Sequence, residues 1–256
     1  MVKKCFCLIL LVLLLASSVG LRNVAGFSEP PIDNPGLSNI PIEETESFKN
    51  GMRPAEEYSH EALTLEDLLC LFEEEIDPLD ITIIEAINLQ VPHYYQNQQP
   101  WSNHIMQTCG LTIGSAGCAL TSFTMVANYL GSNDNPGQAN TKLGNDACPF
   151  AWFSAATKFG ITYDTDYNAD PIPESGGKTW ILGELRKGNP VIVGYKKSTG
   201  DLHYVVCWGY TCIMSQGHLY EYYAIHDPTY GSKEQHSLDG YLSQGYYLRN
   251  LRVYRK

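Results

Sequence analysis

Cys118 follows Gly117 and stands directly ahead of the best helical pattern in the chain. There Leu120, Phe123, Ala127 and Leu130 form one apolar stripe, and Gly131 marks a natural stop. A thiol at the head of a helix meets unpaired N–H groups and the positive end of the helix dipole, which favour thiolate over thiol. Gly114, Ser115, Ala116 and Gly117 are small, so the backbone can turn sharply and leave the sulfur accessible. His203 precedes the apolar run Tyr204, Val205, Val206, at the mouth of an expected strand. A rigid backbone there holds an imidazole able to move a proton near neutral pH. Asp227 follows Ile225 and His226 and precedes Pro228, at the end of the next expected strand. A carboxylate in that place can fix the tautomer of a neighbouring histidine and stabilise its cation.

Each of these residues has an ordinary structural reading: a buried cysteine at a helix start, a surface histidine at a strand start, a turn aspartate before proline. Their order is what points to chemistry, with a nucleophile on an early helix and a base and a carboxylate on later strands. His226 alternates to the face opposite Asp227 and is not given the base role. A tetrahedral oxyanion also needs donors. The backbone N–H of Cys118 supplies one, and Gln96 is the candidate side-chain amide, with Gln98 and Gln99 competing from the same loop.

The elements that must position these groups divide the chain. Residues 150–158 and 180–187 read as shorter helices ended by Gly160 and Gly188. From Pro190 onward the pattern changes to strands at 191–195, 204–210, 219–226 and 247–254, rich in β-branched and aromatic residues and separated by turn residues. Helices first and strands second predicts an α+β domain with an antiparallel sheet, starting at Leu89. Upstream, residues 27–60 are rich in Pro, Glu, Asn and Ser and are expected to stay extended or disordered. Residues 64–75 read as a helix capped by Thr64, with Leu65, Leu68, Leu69 and Phe72 on one face. Residues 27–88 thus form an acidic pro-region or linker that either masks the following domain, through an intramolecular contact, or tethers it.

Charge follows the same division. Residues 41–80 hold thirteen acids against two bases, and their excess equals the formal net charge of the whole 256-residue chain, −11. The rest is balanced, so no basic surface is available for nucleic acid. Lys3 and Lys4 precede an apolar run from Cys5 to Ala16 that is shorter than the roughly 20 residues of a membrane span. Residues 1–26 therefore read as a cleaved signal peptide, and the mature chain as exported without stable membrane insertion, free outside the cell or associated with its surface. Six cysteines remain: 70, 109, 118, 148, 207 and 212. Cys109 with Cys148 and Cys207 with Cys212 are possible disulfides, and buried or reduced thiols are an equal alternative. Cys207 and Cys212 with His203 or His218 lack the spacing of a zinc site, and no Gly-rich phosphate loop is present, so no metal or cofactor is expected.

The stretch Val91-Pro-His-Tyr-Tyr-Gln96, then Trp101, then Thr112-Ile-Gly-Ser-Ala-Gly-Cys118-Ala-Leu-Thr-Ser-Phe-Thr-Met-Val126, resembles the C39-like peptidase family. Later pieces agree in order: Glu184 to Val191, His203 to Val206 ending in Gly209-Tyr210, and Ile225-His-Asp227-Pro. The resemblance covers about residues 89–254. It implies a papain-like fold, with a helical half whose catalytic helix packs on a C-terminal sheet. It implies, too, hydrolysis of peptide bonds in a peptide or protein substrate. By motif position Cys118 is the nucleophile, His203 the base, Asp227 the orienter and Gln96 the oxyanion-hole amide. The family is mostly bacterial, and its better-known members cleave leader peptides as parts of transporters; no transporter segment accompanies this domain. Ala119 departs from the family, which more often has glycine after the cysteine, and its methyl group crowds the oxyanion side. The competing expectation is a catalytically inactive module of the same fold that binds extracellular peptide or glycan.

Overall fold

The computed structural model describes residues 81–229 and 235–256. The expected signal peptide, the extended stretch and the helix at 64–75 lie outside the described residues. Six strands form one sheet: β1 (Thr82–Asn88), β2 (Thr162–Asn168), β3 (Val191–Lys196), β4 (Leu202–Ser215), β5 (His218–His226) and β6 (Tyr247–Arg255). The order is β1-β4-β3-β6-β2 with β5 also on β4, and every pairing is antiparallel. Among the described residues six α-helices accompany them: α1 (Ile113–Ala116), α2 (Cys118–Tyr129), α3 (Pro136–Leu143), α4 (Trp152–Phe159), α5 (Glu174–Leu185) and α6 (Leu238–Leu242). The molecule is α+β with an antiparallel sheet.

β4 organises the sheet. β5 runs along one of its edges from Val206 to Ser215. The other edge is shared end to end by β3, against Leu202–Cys207, and β1, against Gly209–Met214. Gln216 and Gly217 join β4 to β5 with φ of 52° and 77°, the two left-handed residues of a tight hairpin. Because β5 stops opposite Val206, the first residues of β4 have one edge uncovered where the chain leaves β5.

The sheet is apolar on both faces, and the two-residue period of a strand sorts its side chains. Ile192, Val206 and Tyr254 join Leu120, Phe123 and Val126 of α2 on one face. Val191, Val193, Val205, Cys207, Leu251 and Val253 join Ile181, Leu182 and Leu185 of α5 on the other. Ser122 of α2 donates its hydroxyl to the carbonyl of Tyr204 at 3.0 Å, which ties the helix to the start of β4.

Several features differ from the sequence reading, among them the short helices α1, α3 and α6, which it did not include. The sheet starts at Thr82, within the stretch assigned to the acidic segment, because β1 pairs with β4. β2 lies between helices and pairs with β6 at the far end of the sheet. α5 starts six residues early; Gly176 and Gly177 obscure its first turns, and a Cβ on Gly177 would lie 2.5 Å from Leu248 Cδ1, so the glycine lets that side chain pack close to the helix. Cys109 and Cys148 form a disulfide with a Cα–Cα distance of 5.7 Å. Cys207 and Cys212 are free and buried. Five residues of one strand separate them by about 16 Å, beyond the roughly 7 Å that a disulfide spans.

Candidate active site

Cys118 is a free, half-buried thiol on the first residue of α2. Thr112 caps the short α1 through a side-chain acceptor to the Ser115 N–H, and α1 then breaks at Gly117 before α2 starts. The break needs glycine. A Cβ on Gly117 would lie 2.5 Å from the carbonyl oxygen of Ile113, which already accepts the Gly117 N–H at 2.7 Å. Gly117 offers no side-chain cap to the N–H groups at the head of α2, where Cys118 is the first residue.

His203 is the second residue of β4, and Asp227 follows the last residue of β5. Adjacent strands bring the two together: His203 Nε2 lies 2.8 Å from Asp227 Oδ1. Asp227 is fully buried and still ionic, because every lone-pair direction is used. Oδ1 also accepts the Thr229 N–H at 2.9 Å, and Oδ2 accepts the Gln235 N–H at 3.0 Å and the Tyr241 hydroxyl at 2.5 Å. Burial raises the Asp227 carboxyl, but the His203 charge and these hydrogen bonds outweigh it and hold the group below the usual carboxylate range. For His203 burial works downward, while the Asp227 charge and hydrogen bond, then those of Cys118, work upward and leave it at about 10.

The imidazole is therefore a cation at neutral pH, set between a carboxylate and a sulfur. With Nε2 on Asp227, the hydrogen bond to Cys118 falls to Nδ1. Tyr204 and Tyr246 stand close enough for charge on Cys118 to push both phenols up, in addition to the larger effect of their burial.

Gln96 is buried and joins both halves of the site. Its Nε2 donates to the Gly114 carbonyl at 3.0 Å, in α1, and its backbone N–H donates to the Pro228 carbonyl at 2.7 Å, next to Asp227. Of the competing glutamines, Gln99 donates a side-chain N–H to the Ser102 hydroxyl at 2.7 Å, and Gln98 accepts the Ser102 N–H on its backbone carbonyl at 2.9 Å.

Several supporting residues escaped the sequence reading. His93 Nε2 bonds the Asp227 carbonyl at 2.7 Å, and His226 Nε2 bonds the Val91 carbonyl at 2.9 Å. Their rings stack at 4.3 Å, and Trp208 stacks on His226 at 4.9 Å, so a column of rings clamps the segment bearing Gln96 to the end of β5. His226, excluded as the base, is the middle of that column. Tyr241 comes from α6, a five-residue helix whose pattern is too short to read from the chain. Among the described residues no group of His, Cys, Asp and Glu could hold a metal, and no helix is long and apolar enough to cross a membrane.

A family model described as the Peptidase_C39 like family matches residues 88–249. The chain belongs to the C39-like peptidase family, and that membership suggests a cysteine peptidase. The match takes in β2 to β5, the six helices α1 to α6, and Gln96, Cys118, His203 and Asp227. No curated protein matches the chain.

Proposed function

We propose that this protein is an exported cysteine peptidase of papain-like architecture, hydrolysing peptide bonds through Cys118, His203 and Asp227. The observation that carries the reading is the Asp227–His203 pair, with the second imidazole nitrogen left to a free thiol at a helix head. The Cys118 thiolate attacks the scissile carbonyl carbon, and the carbonyl electrons move to oxygen. The Cys118 N–H and the second N–H of Gln96 Nε2, the one not given to the Gly114 carbonyl, stabilise the oxyanion. His203 gives its Nδ1 proton to the leaving amine as the tetrahedral intermediate collapses to a thioester. The neutral imidazole then takes a proton from water, whose oxygen attacks the thioester; collapse releases the acid and restores the thiolate–imidazolium pair. Asp227 stays ionised throughout and keeps the ring aimed.

Export rests on the N-terminal apolar run and the Cys109–Cys148 disulfide, which suits an oxidising compartment. The complete set of interacting groups weighs against an inactive binding module. Iodoacetamide at pH 6, read by mass spectrometry of each cysteine peptide, tests the site directly. Cys118 is expected to label fastest, and His203→Ala to slow it by at least tenfold. Uniformly slow labelling, indifferent to His203, would overturn the peptidase reading.

A further inference from the structure

A carboxylate bonded through one oxygen can swing about its Cβ–Cγ bond, so the second oxygen decides how well it aims the first. In Asp227 that second oxygen, Oδ2, is held by one side chain, the hydroxyl of Tyr241 at 2.5 Å, and by the Gln235 N–H. Tyr241 is itself buried and locked. Its helix α6 is capped by Ser237, which accepts the Gly240 N–H at 3.2 Å. Its ring stacks on the fully buried Tyr195 at 4.9 Å and meets Tyr246 edge-on at 5.2 Å. The same ring lies 5.2 Å from that of His203. Burial and the Asp227 charge keep the phenol protonated and hence a donor.

We propose that Tyr241 is a positioning residue of this site: its hydroxyl fixes the Asp227 carboxylate and its ring walls the His203 imidazole, so that Nδ1 stays on the Cys118 sulfur. The inference rests on the peptidase reading. Tyr195 supplies the contrast. It shares the ring stack, but its hydroxyl goes to the Leu238 carbonyl at 3.3 Å and not to the carboxylate. Loss of either hydroxyl leaves both rings packed, yet only one loss frees Asp227.

The test compares Tyr241→Phe, Tyr195→Phe and wild type in the full chain, through the rate of Cys118 alkylation by iodoacetamide from pH 3.5 to 9. Tyr241→Phe is expected to slow labelling at neutral pH by about tenfold, the size of a lost hydrogen bond to a charged group. It is also expected to move the acid limb to higher pH. Without that donor Asp227 takes up a proton sooner, and a neutral Asp227 no longer supports the imidazolium. Tyr195→Phe should change neither quantity. In an Asp227→Asn background, Tyr241→Phe should add less than about twofold and no shift of the limb, since its partner charge is gone. Coincident profiles for Tyr241→Phe and wild type, an equal shift in Tyr195→Phe, or an undiminished effect in the Asp227→Asn background would each overturn the proposal. Wild-type labelling no faster than that of His203→Ala would instead remove the peptidase reading on which it stands.

Discussion

β4 carries two different chemical environments within four residues of one another. At its start, His203 lies where β5 has ended, is partly exposed, and faces a half-buried thiol on another element. In its middle, Cys207 is sealed between β3 and β5, opposite Val191 and Ile225. Its sulfur has only a long contact to the Gly209 carbonyl, at 3.8 Å, and burial pushes the thiol well up. Cys118 has a helix head and an imidazolium beside it; Cys207 has hydrocarbon. On the proposed reading, reactivity belongs to the rim where strands run out, and burial in the sheet interior disfavours the thiolate of Cys207.

The largest effect expected from that contrast concerns His203. His203→Ala should lower turnover of a peptide mixture, followed by release of free amines, by roughly 10³-fold or more, because base, proton donor and thiolate partner vanish together. A loss below tenfold would place the reactive environment elsewhere.

Next in size is the dependence of stability on pH. The folded pKa of His203, about 10, exceeds its ordinary value of 6.5, so its contribution is complete below pH 6.5 and fades as pH rises toward 10. Asp227 is depressed below 3.8, so its contribution is present above that value and lost as pH falls through the folded pKa. Wild type should therefore gain most over His203→Ala between about pH 4 and 6.5, by on the order of a few kcal/mol, and the difference should shrink toward pH 10. Denaturant titrations at pH 5, 7 and 9.5 check this; a gap that widens with pH would contradict the ion pair.

The smallest effect belongs to the silent thiol. Cys207→Ala should cost about 1–2 kcal/mol of stability by leaving a small cavity, with alkylation of Cys118 unchanged. Cys207 itself should label only after denaturation, as mass spectrometry of the intact and unfolded chains would show.

Much of the frame was legible from residue types. β3, β4, β5 and β6 are apolar runs bounded by Gly, Asp and Pro, and their observed limits include the expected ones. α2 has an apolar stripe that only a helix satisfies. The strands that were missed lack a strong pattern for a physical reason. β2 alternates exposed and half-buried positions and contains Asp164 and Asp166, and β1 leaves Ile83 and Ile84 exposed. Such strands form because a neighbour offers hydrogen bonds, and no local preference announces that.

The site divides in the same way. Cys118, His203 and Asp227 were visible as residues because each sits at an element boundary marked by glycine, proline or a change of period, and Gln96 as an amide upstream of the thiol. Their mutual distances were not visible, because 85 residues separate the sulfur from the imidazole and the pairing of β4 with β5 decides where Asp227 ends. Tyr241 and the column of Trp208, His226 and His93 were beyond reach of any local pattern. Sequence alone determined which side chains have the chemistry, since that is a property of the residue and its immediate backbone. Only tertiary structure decided which of them face one another and which are sealed in hydrocarbon, since burial and electrostatic neighbours are set by segments distant along the chain.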